Sequence, residues 1–133
     1  MKKIITFGTF DVFHVGHIRL LQRAAALGNH LIVGVSSDAL NKSKKGRFPI
    51  YSERDRLEII AGLACVDKVF VEHSLEEKAE YIKKYKADIL VMGDDWKGRF
   101  DEFNSYCEVI YMTRTPSIST TEIIEVVKSV PNH

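Results

Sequence analysis

Two histidines, His14 and His17, stand three residues apart around Gly16 in the stretch Gly8-Thr9-Phe10-Asp11-Val12-Phe13-His14-Val15-Gly16-His17. The apolar run Ile4-Ile5-Thr6-Phe7 precedes it and a helical pattern begins near Ile18, so a strand ends, the chain turns and a helix starts. A helix N-terminus supplies backbone N–H groups and the positive end of the dipole, a seat for phosphate. Gly16 has no Cβ to keep that backbone from a ligand. If the turn is already helical, three-residue spacing sets both imidazoles on one side. This arrangement suits the handling of a triphosphate; the same residue types also serve as caps or as part of a metal site.

A second concentration of charge runs from Ser37 to Ile50, with Lys42, Lys44, Lys45 and Arg47 around Gly46. It reads as the longest irregular segment, an arm that brings ammonium groups over a polyphosphate. Two further polar clusters are Gly93-Asp94-Asp95-Trp96 and Arg114-Thr115.

The elements that must position these groups alternate. Ile18 to Leu27 has helical spacing and meets a stop at Gly28-Asn29. Leu31-Ile32-Val33-Gly34-Val35 reads as a strand buried on both faces. Ser52 caps a helix to about Leu63, with Leu57, Ile60, Ala61 and Ala64 as its buried stripe. A strand at Lys68-Val69-Phe70-Val71 is followed by a helix from Leu75 to about Tyr85, packing through Leu75, Ala79 and Ile82. Asp88 to Met92 and Glu108 to Met112 are the remaining strands. A last helix, capped near Ser119 or Thr120, carries Ile123, Ile124, Val127 and Val130. Strands alternating with helices give a doubly wound α/β fold with a five-stranded parallel sheet. Ligands bind such sheets outside the carboxyl ends of the strands, and every polar cluster above follows a strand's carboxyl end.

With 133 residues, 45% of them hydrophobic and 28% charged, residues 1–133 read as one globular domain. A net charge of +1 argues against a protein that coats nucleic acid. Cys65 and Cys107 lie far apart without C-x-x-C spacing and read as buried free thiols rather than a disulfide or zinc site. No apolar stretch is long enough to span a bilayer and Met1-Lys2-Lys3 leads directly into a strand, so membrane insertion is not expected and a cytoplasmic location is.

With the strand-turn-helix, the H-x-G-H spacing and the run Arg114-Thr115-Pro116-Ser117-Ile118-Ser119-Thr120-Thr121 in place, the chain resembles the cytidylyltransferases of the H-x-G-H nucleotidyltransferase superfamily, nearest the members that take glycerol 3-phosphate. The likeness covers nearly the whole chain, including Gly8-Thr9-Phe10-Asp11, Tyr51 to Arg56, Val66-Asp67-x-Val69 and Val91 to Trp96. It implies a Rossmann-like sheet, a homodimer, and transfer of a cytidylyl group from CTP to a small phosphorylated alcohol, sn-glycerol 3-phosphate first, giving the CDP-alcohol and pyrophosphate. CDP-glycerol would serve a surface polymer such as teichoic acid or capsule. Phosphocholine, phosphoethanolamine or another polyol phosphate is the alternative acceptor. ATP as donor and a non-catalytic CTP-binding regulator are further alternatives.

By the same resemblance, Gly8, Thr9, Phe10, His14, Gly16, His17, Asp94, Arg114, Thr115, Ile118, Ser119 and Thr120 bind the nucleotide, and Lys44 and Lys78 the acceptor. His14, His17, Lys44 and Arg114 are the catalytic set, with Asp11 behind them. Lys78 reads equally as one of several solvated helix lysines. Mg2+ is expected on the CTP phosphates, with no metal ligand set supplied by the protein. At two places the chain departs from its relatives. Ser117 stands where glycine is common, and Ala64 where glycerol-phosphate users carry an arginine.

Overall fold

Apolar runs too short for a buried helix and too continuous for a half-exposed strand must be covered on both faces, and the sheet arranges this. The computed structural model describes residues 1–113 and 119–130. Its strands are β1 (Lys3–Gly8), β2 (His30–Ser36), β3 (Lys68–Glu72), β4 (Ile89–Gly93) and β5 (Glu108–Met112), in the order β3-β2-β1-β4-β5, with every neighbouring pair parallel. The helices are α1 (Val15–Ala25), α2 (Asp38–Lys45), α3 (Glu53–Ala61), α4 (Lys78–Tyr85) and α5 (Thr120–Ser129), and short 3₁₀ turns occupy Leu75–Glu77, Asp94–Trp96 and Asp101–Ser105. The winding reverses between β1 and β4, which places the switch point over Gly8 and Gly93.

Alternation along the strands divides the core in two. Ile4, Val33 and Val91 pack with Leu21 and Ala24 of α1 and Ile60 of α3 on one face. Ile5, Phe7, Ile32 and Leu90 pack with Ile82 of α4, Phe103 and Cys107 on the other. Cys65 sits against the first cluster, half-buried, and both thiols are free.

Several elements differ from the sequence reading. The segment after β2 is not an irregular arm: Asp38 to Lys45 form a helix, because Ser37 caps it at Leu40 N–H (3.0 Å), Asn41 turns inward and Lys42, Lys44 and Lys45 suit the negative end of its dipole. It closes on Gly46 at φ 76°, a left-handed turn. On α3, Ala61 and Ala64 are exposed, since Arg56 and Ile60, four apart, define the buried face and the helix ends at Ala61. The helix expected from Leu75 is a 3₁₀ turn followed by α4, and α1 starts at Val15 and is capped at Ala26, short of Gly28. Val127 of α5 and Val130, which caps it, are exposed.

Arg56 of α3, with no exposed surface, ties that helix to β2, to α2 and to the turn after β1. Its Nε donates to Tyr51 O (3.0 Å), Nη1 to Thr9 O (2.9 Å) and Ser36 O (2.7 Å), and Nη2 to Asp38 Oδ1 (2.8 Å). It thereby satisfies carbonyls at the ends of β1 and β2 that no ladder reaches. Arg56→Met leaves those carbonyls without a donor, while the part-exposed Asp38 carboxylate can be hydrated, so a loss of about 3–5 kcal/mol is expected in urea unfolding, from about 1–3 kcal/mol for each acceptor left unsatisfied. A loss under ~1 kcal/mol would show that water substitutes for the guanidinium.

Candidate active site

The turn after β1 is built around the ring of Phe10. A Cβ on Gly8 would lie 2.8 Å from that ring, so glycine lets the chain fold back on itself here. Phe10 and Val12 adopt φ of 55° and 46°, a left-handed conformation that is costly for any residue with a Cβ and most so for a branched one. Surrounding bonds hold it there. Arg56 grips Thr9 O, Thr9 Oγ1 donates to Asn41 Oδ1 (2.8 Å), and Asn41 Nδ2 donates to Ser36 Oγ (2.7 Å). Thr120 Oγ1, at the start of α5, donates to Asp11 O (2.8 Å). The Asp11 carboxylate accepts the amides of Ile50 (2.7 Å) and Tyr51 (2.8 Å), so its work is to pin the loop after α2 against the turn.

The two histidines form the start of α1. Gly16 N–H donates to His14 Nδ1 (3.0 Å) and His14 N–H to His17 Nδ1 (3.2 Å), a capping box made of imidazoles, with the rings stacked 3.7 Å apart. A ring nitrogen that accepts an amide proton leaves the proton of the neutral ring on the other nitrogen, so each Nε2 is a donor. The expected shared side is present. The open amides are not: Gly16 N–H is spent on His14 Nδ1 and His17 N–H on His14 O (3.0 Å). Phosphate affinity at this helix start must therefore come from imidazole N–H groups and the dipole rather than from these two amides.

A cleft of about 460 Å³ opens over the switch point. Gly8, Thr9, Phe10, His17, Lys44, Lys78, Ser119 and Thr120 line it, which brings together groups from both sequence ends. His14, stacked on His17, is not in the lining, nor are Gly16 and Asp94; the neighbouring Asp95 is. Arg114, Thr115 and Ile118, together with Ser117, lie outside the described residues.

Lys78 is only 2% exposed, which rules out the solvated reading. Its ammonium pairs with the buried Glu72 carboxylate and sits 4.4 Å from the Phe7 ring centroid. Burial pushes its pKa below the ordinary lysine value and Glu72 opposes that shift. Much of Lys44 is open to solvent, yet partial burial of its ammonium also lowers its pKa, with Glu72 raising it and Lys78, Lys45 and Arg56 lowering it. Glu72, Asn41 and Arg56 were not singled out for the site from sequence. Serine or glutamate at a strand's carboxyl end is a weak signal until the turn it faces is known.

A doubly wound sheet with a histidine pair capping a helix and two lysines, one of them buried, at its switch point defines a nucleotide-handling α/β protein of the H-x-G-H type. The chain belongs to the cytidylyltransferase-like family, whose profile matches residues 5–126. It is 49% identical to a glycerol-3-phosphate cytidylyltransferase of Bacillus spizizenii, over 92% of this chain and 95% of the relative, and 46% identical to that of Bacillus subtilis, over 94% and 96%. Among solved structures it is similar to a lipopolysaccharide core biosynthesis protein of Thermoplasma volcanium, with a TM-score of 0.76 and 26% identity over 86% of this chain and 98% of the other.

The left-handed turn yields a direct test. At Val12 the usual order of alanine and glycine should invert: Val12→Gly is expected to be more stable than Val12→Ala by about 1 kcal/mol in thermal unfolding, because only glycine takes φ near 46° without strain. Val12→Ala proving the more stable would remove the strain from the account.

Proposed function

We propose that this chain is a glycerol-3-phosphate cytidylyltransferase, joining CTP and sn-glycerol 3-phosphate to give CDP-glycerol and pyrophosphate. What carries the reading is one cleft lined by His17, on which His14 stacks, and by two lysines, in a chain nearly half identical to relatives of that name. A phosphomonoester oxygen of the acceptor attacks the α-phosphorus of CTP, a new P–O bond forms, and the bond to the β-phosphate oxygen breaks as pyrophosphate leaves. The acceptor's second pKa is near 6, so at neutral pH it is mostly a dianion and needs no general base. Catalysis is positioning and charge stabilisation.

His17 Nε2, braced by His14, donates to the oxygens that gain charge at the α-phosphorus. Lys44, at the mouth of the cleft, offsets charge between the entering phosphate and the leaving pyrophosphate, and Lys78 lies deeper on the acceptor side. Gly8, Thr9 and Phe10 support the phosphates, while Ser119 and Thr120 close the cleft from α5. Arg114, Thr115, Ile118 and Asp94 belong to the nucleotide side by resemblance.

Magnesium would neutralise triphosphate charge. Of the carboxylates lining the cleft, Asp11 is committed to three amides and Glu72 to Lys78, so the donor set fits an ion held mainly by phosphate oxygens and water. A homodimer is proposed as well, and α5 with its C-cap exposes Val126 (62%), Val127 (54%) and Val130 (42%) for burial. No helix among the described residues is long and apolar enough to cross a membrane. A cytoplasmic enzyme supplying teichoic acid or capsule synthesis accords with a soluble nucleotide product.

Pyrophosphate release from CTP and from ATP against a panel of phospho-alcohols tests the reading; CTP with glycerol 3-phosphate should give the highest kcat/KM. A tenfold preference for another acceptor, about 1.4 kcal/mol, would change the acceptor and leave the chemistry. His14→Ala and His17→Ala should each lower kcat by roughly two or more orders of magnitude, as losing a preorganised donor does. His17→Asn, which retains a capping acceptor, should fold normally and be equally slow; near-normal turnover in these variants would refute the assignment.

A further inference from the structure

Glu72 is an odd residue to find in a cleft meant for two anions. It ends β3, is 2% exposed, and lines the same cleft as Lys44 and Lys78. Its backbone carbonyl accepts Ser37 N–H (2.8 Å), which locks the residue to the start of α2. Its Oε2 accepts from Lys78 Nζ. Its Oε1 accepts no hydrogen bond from the described residues, although a carboxylate has lone pairs for about four.

A buried ion pair adds little stability over apolar side chains of similar volume, so its presence in a cleft wall calls for a use. As a pair, Glu72 and Lys78 carry no net charge and make a poor seat for a phosphate dianion. They make a good seat for hydroxyl groups, since the carboxylate accepts and the ammonium donates. The flanking rings of Phe7 and Phe100, 4.4 and 5.5 Å from the ammonium, shield the pair from water and sharpen its demand for partners. Lys44, unpaired with Glu72 by any direct bond among the described residues but close enough to feel its charge, is the better placed cation for phosphate.

Resting on the proposed acceptor class, we infer that Glu72 determines acceptor specificity: with Lys78 it binds the hydroxyl-bearing end of a polyol phosphate, Oε1 accepting an acceptor O–H, while the phosphate end faces Lys44 and the histidines. The chemistry recognised is a vicinal diol. Acceptors that lack hydroxyls leave a buried carboxylate and ammonium short of partners, which is how a hydrogen-bonding site rejects a deoxy analogue.

The test compares sn-glycerol 3-phosphate with n-propyl phosphate, which has the same chain length and no hydroxyl, at saturating CTP. The wild-type protein should prefer glycerol 3-phosphate by about a hundredfold or more in kcat/KM. Glu72→Gln should cut that ratio at least tenfold, chiefly through the acceptor KM, with the KM for CTP within about twofold of wild type. Should Glu72→Gln fail to fold, the double variant Glu72→Gln/Lys78→Met removes both charges together, and the same collapse of the ratio is expected. An unchanged ratio in a folded variant, or equal changes in both KM values, overturns the inference. Wild-type turnover of n-propyl phosphate as fast as of glycerol 3-phosphate overturns it too while leaving cytidylyl transfer intact. No pyrophosphate release from CTP with any phospho-alcohol overturns the proposed function, and this inference with it.

Discussion

The buried guanidinium of Arg56 is the constraint on which the rest depends. A doubly wound sheet leaves the carboxyl ends of its strands open so that a ligand can reach them, and this strips the last carbonyls of ladder partners. Capping them with more chain would close the cleft. One planar side chain with five donors solves the problem from below, reaching Thr9, Ser36, Tyr51 and Asp38 at once. An ammonium, as a compact point donor on a flexible stem, cannot cover four divergent acceptors.

That anchorage makes the strained turn tenable. Phe10 and Val12 hold left-handed dihedrals only because Thr9, Asp11 and Thr120 are tied from three directions. The turn in turn delivers His14 and His17 to the helix start, where each ring spends one nitrogen on the backbone and keeps the other as a donor. Rigid placement of donors before the ligand arrives is what transition-state stabilisation requires.

The protein's positive charge is handled economically. Net charge is only +1, and the two cations buried most deeply among the described residues, Arg56 and Lys78, each face a carboxylate, Asp38 and Glu72 respectively. Charge available to an anion is therefore concentrated at Lys44 and neighbouring residues near the mouth, while the paired groups inside offer direction rather than net field.

The alternation of apolar runs and helical patterns was sufficient to read the five strands, their parallel arrangement and the convergence of the histidine turn, the lysine segment and the Gly93 to Trp96 turn, because strands buried on both faces tolerate little else. The Gly8 to His17 stretch, Lys44 and the Ser119 cap were likewise legible, since local spacing and cap chemistry act over a few residues. Less could be read where the partner is distant. The segment around Lys44 looked irregular because its helix depends on Asn41 turning onto Ser36 and Ser37, and charge composition hides that. Ala61 and Ala64 seemed core residues because hydropathy, not the position of Thr9 and Tyr51, ranked them above Arg56. Lys78 could be solvated or buried until β3 set Glu72 beneath it. Only tertiary structure decides such cases: whether a charge is buried depends on a counter-charge and carbonyls brought from far along the chain, and no periodicity encodes them.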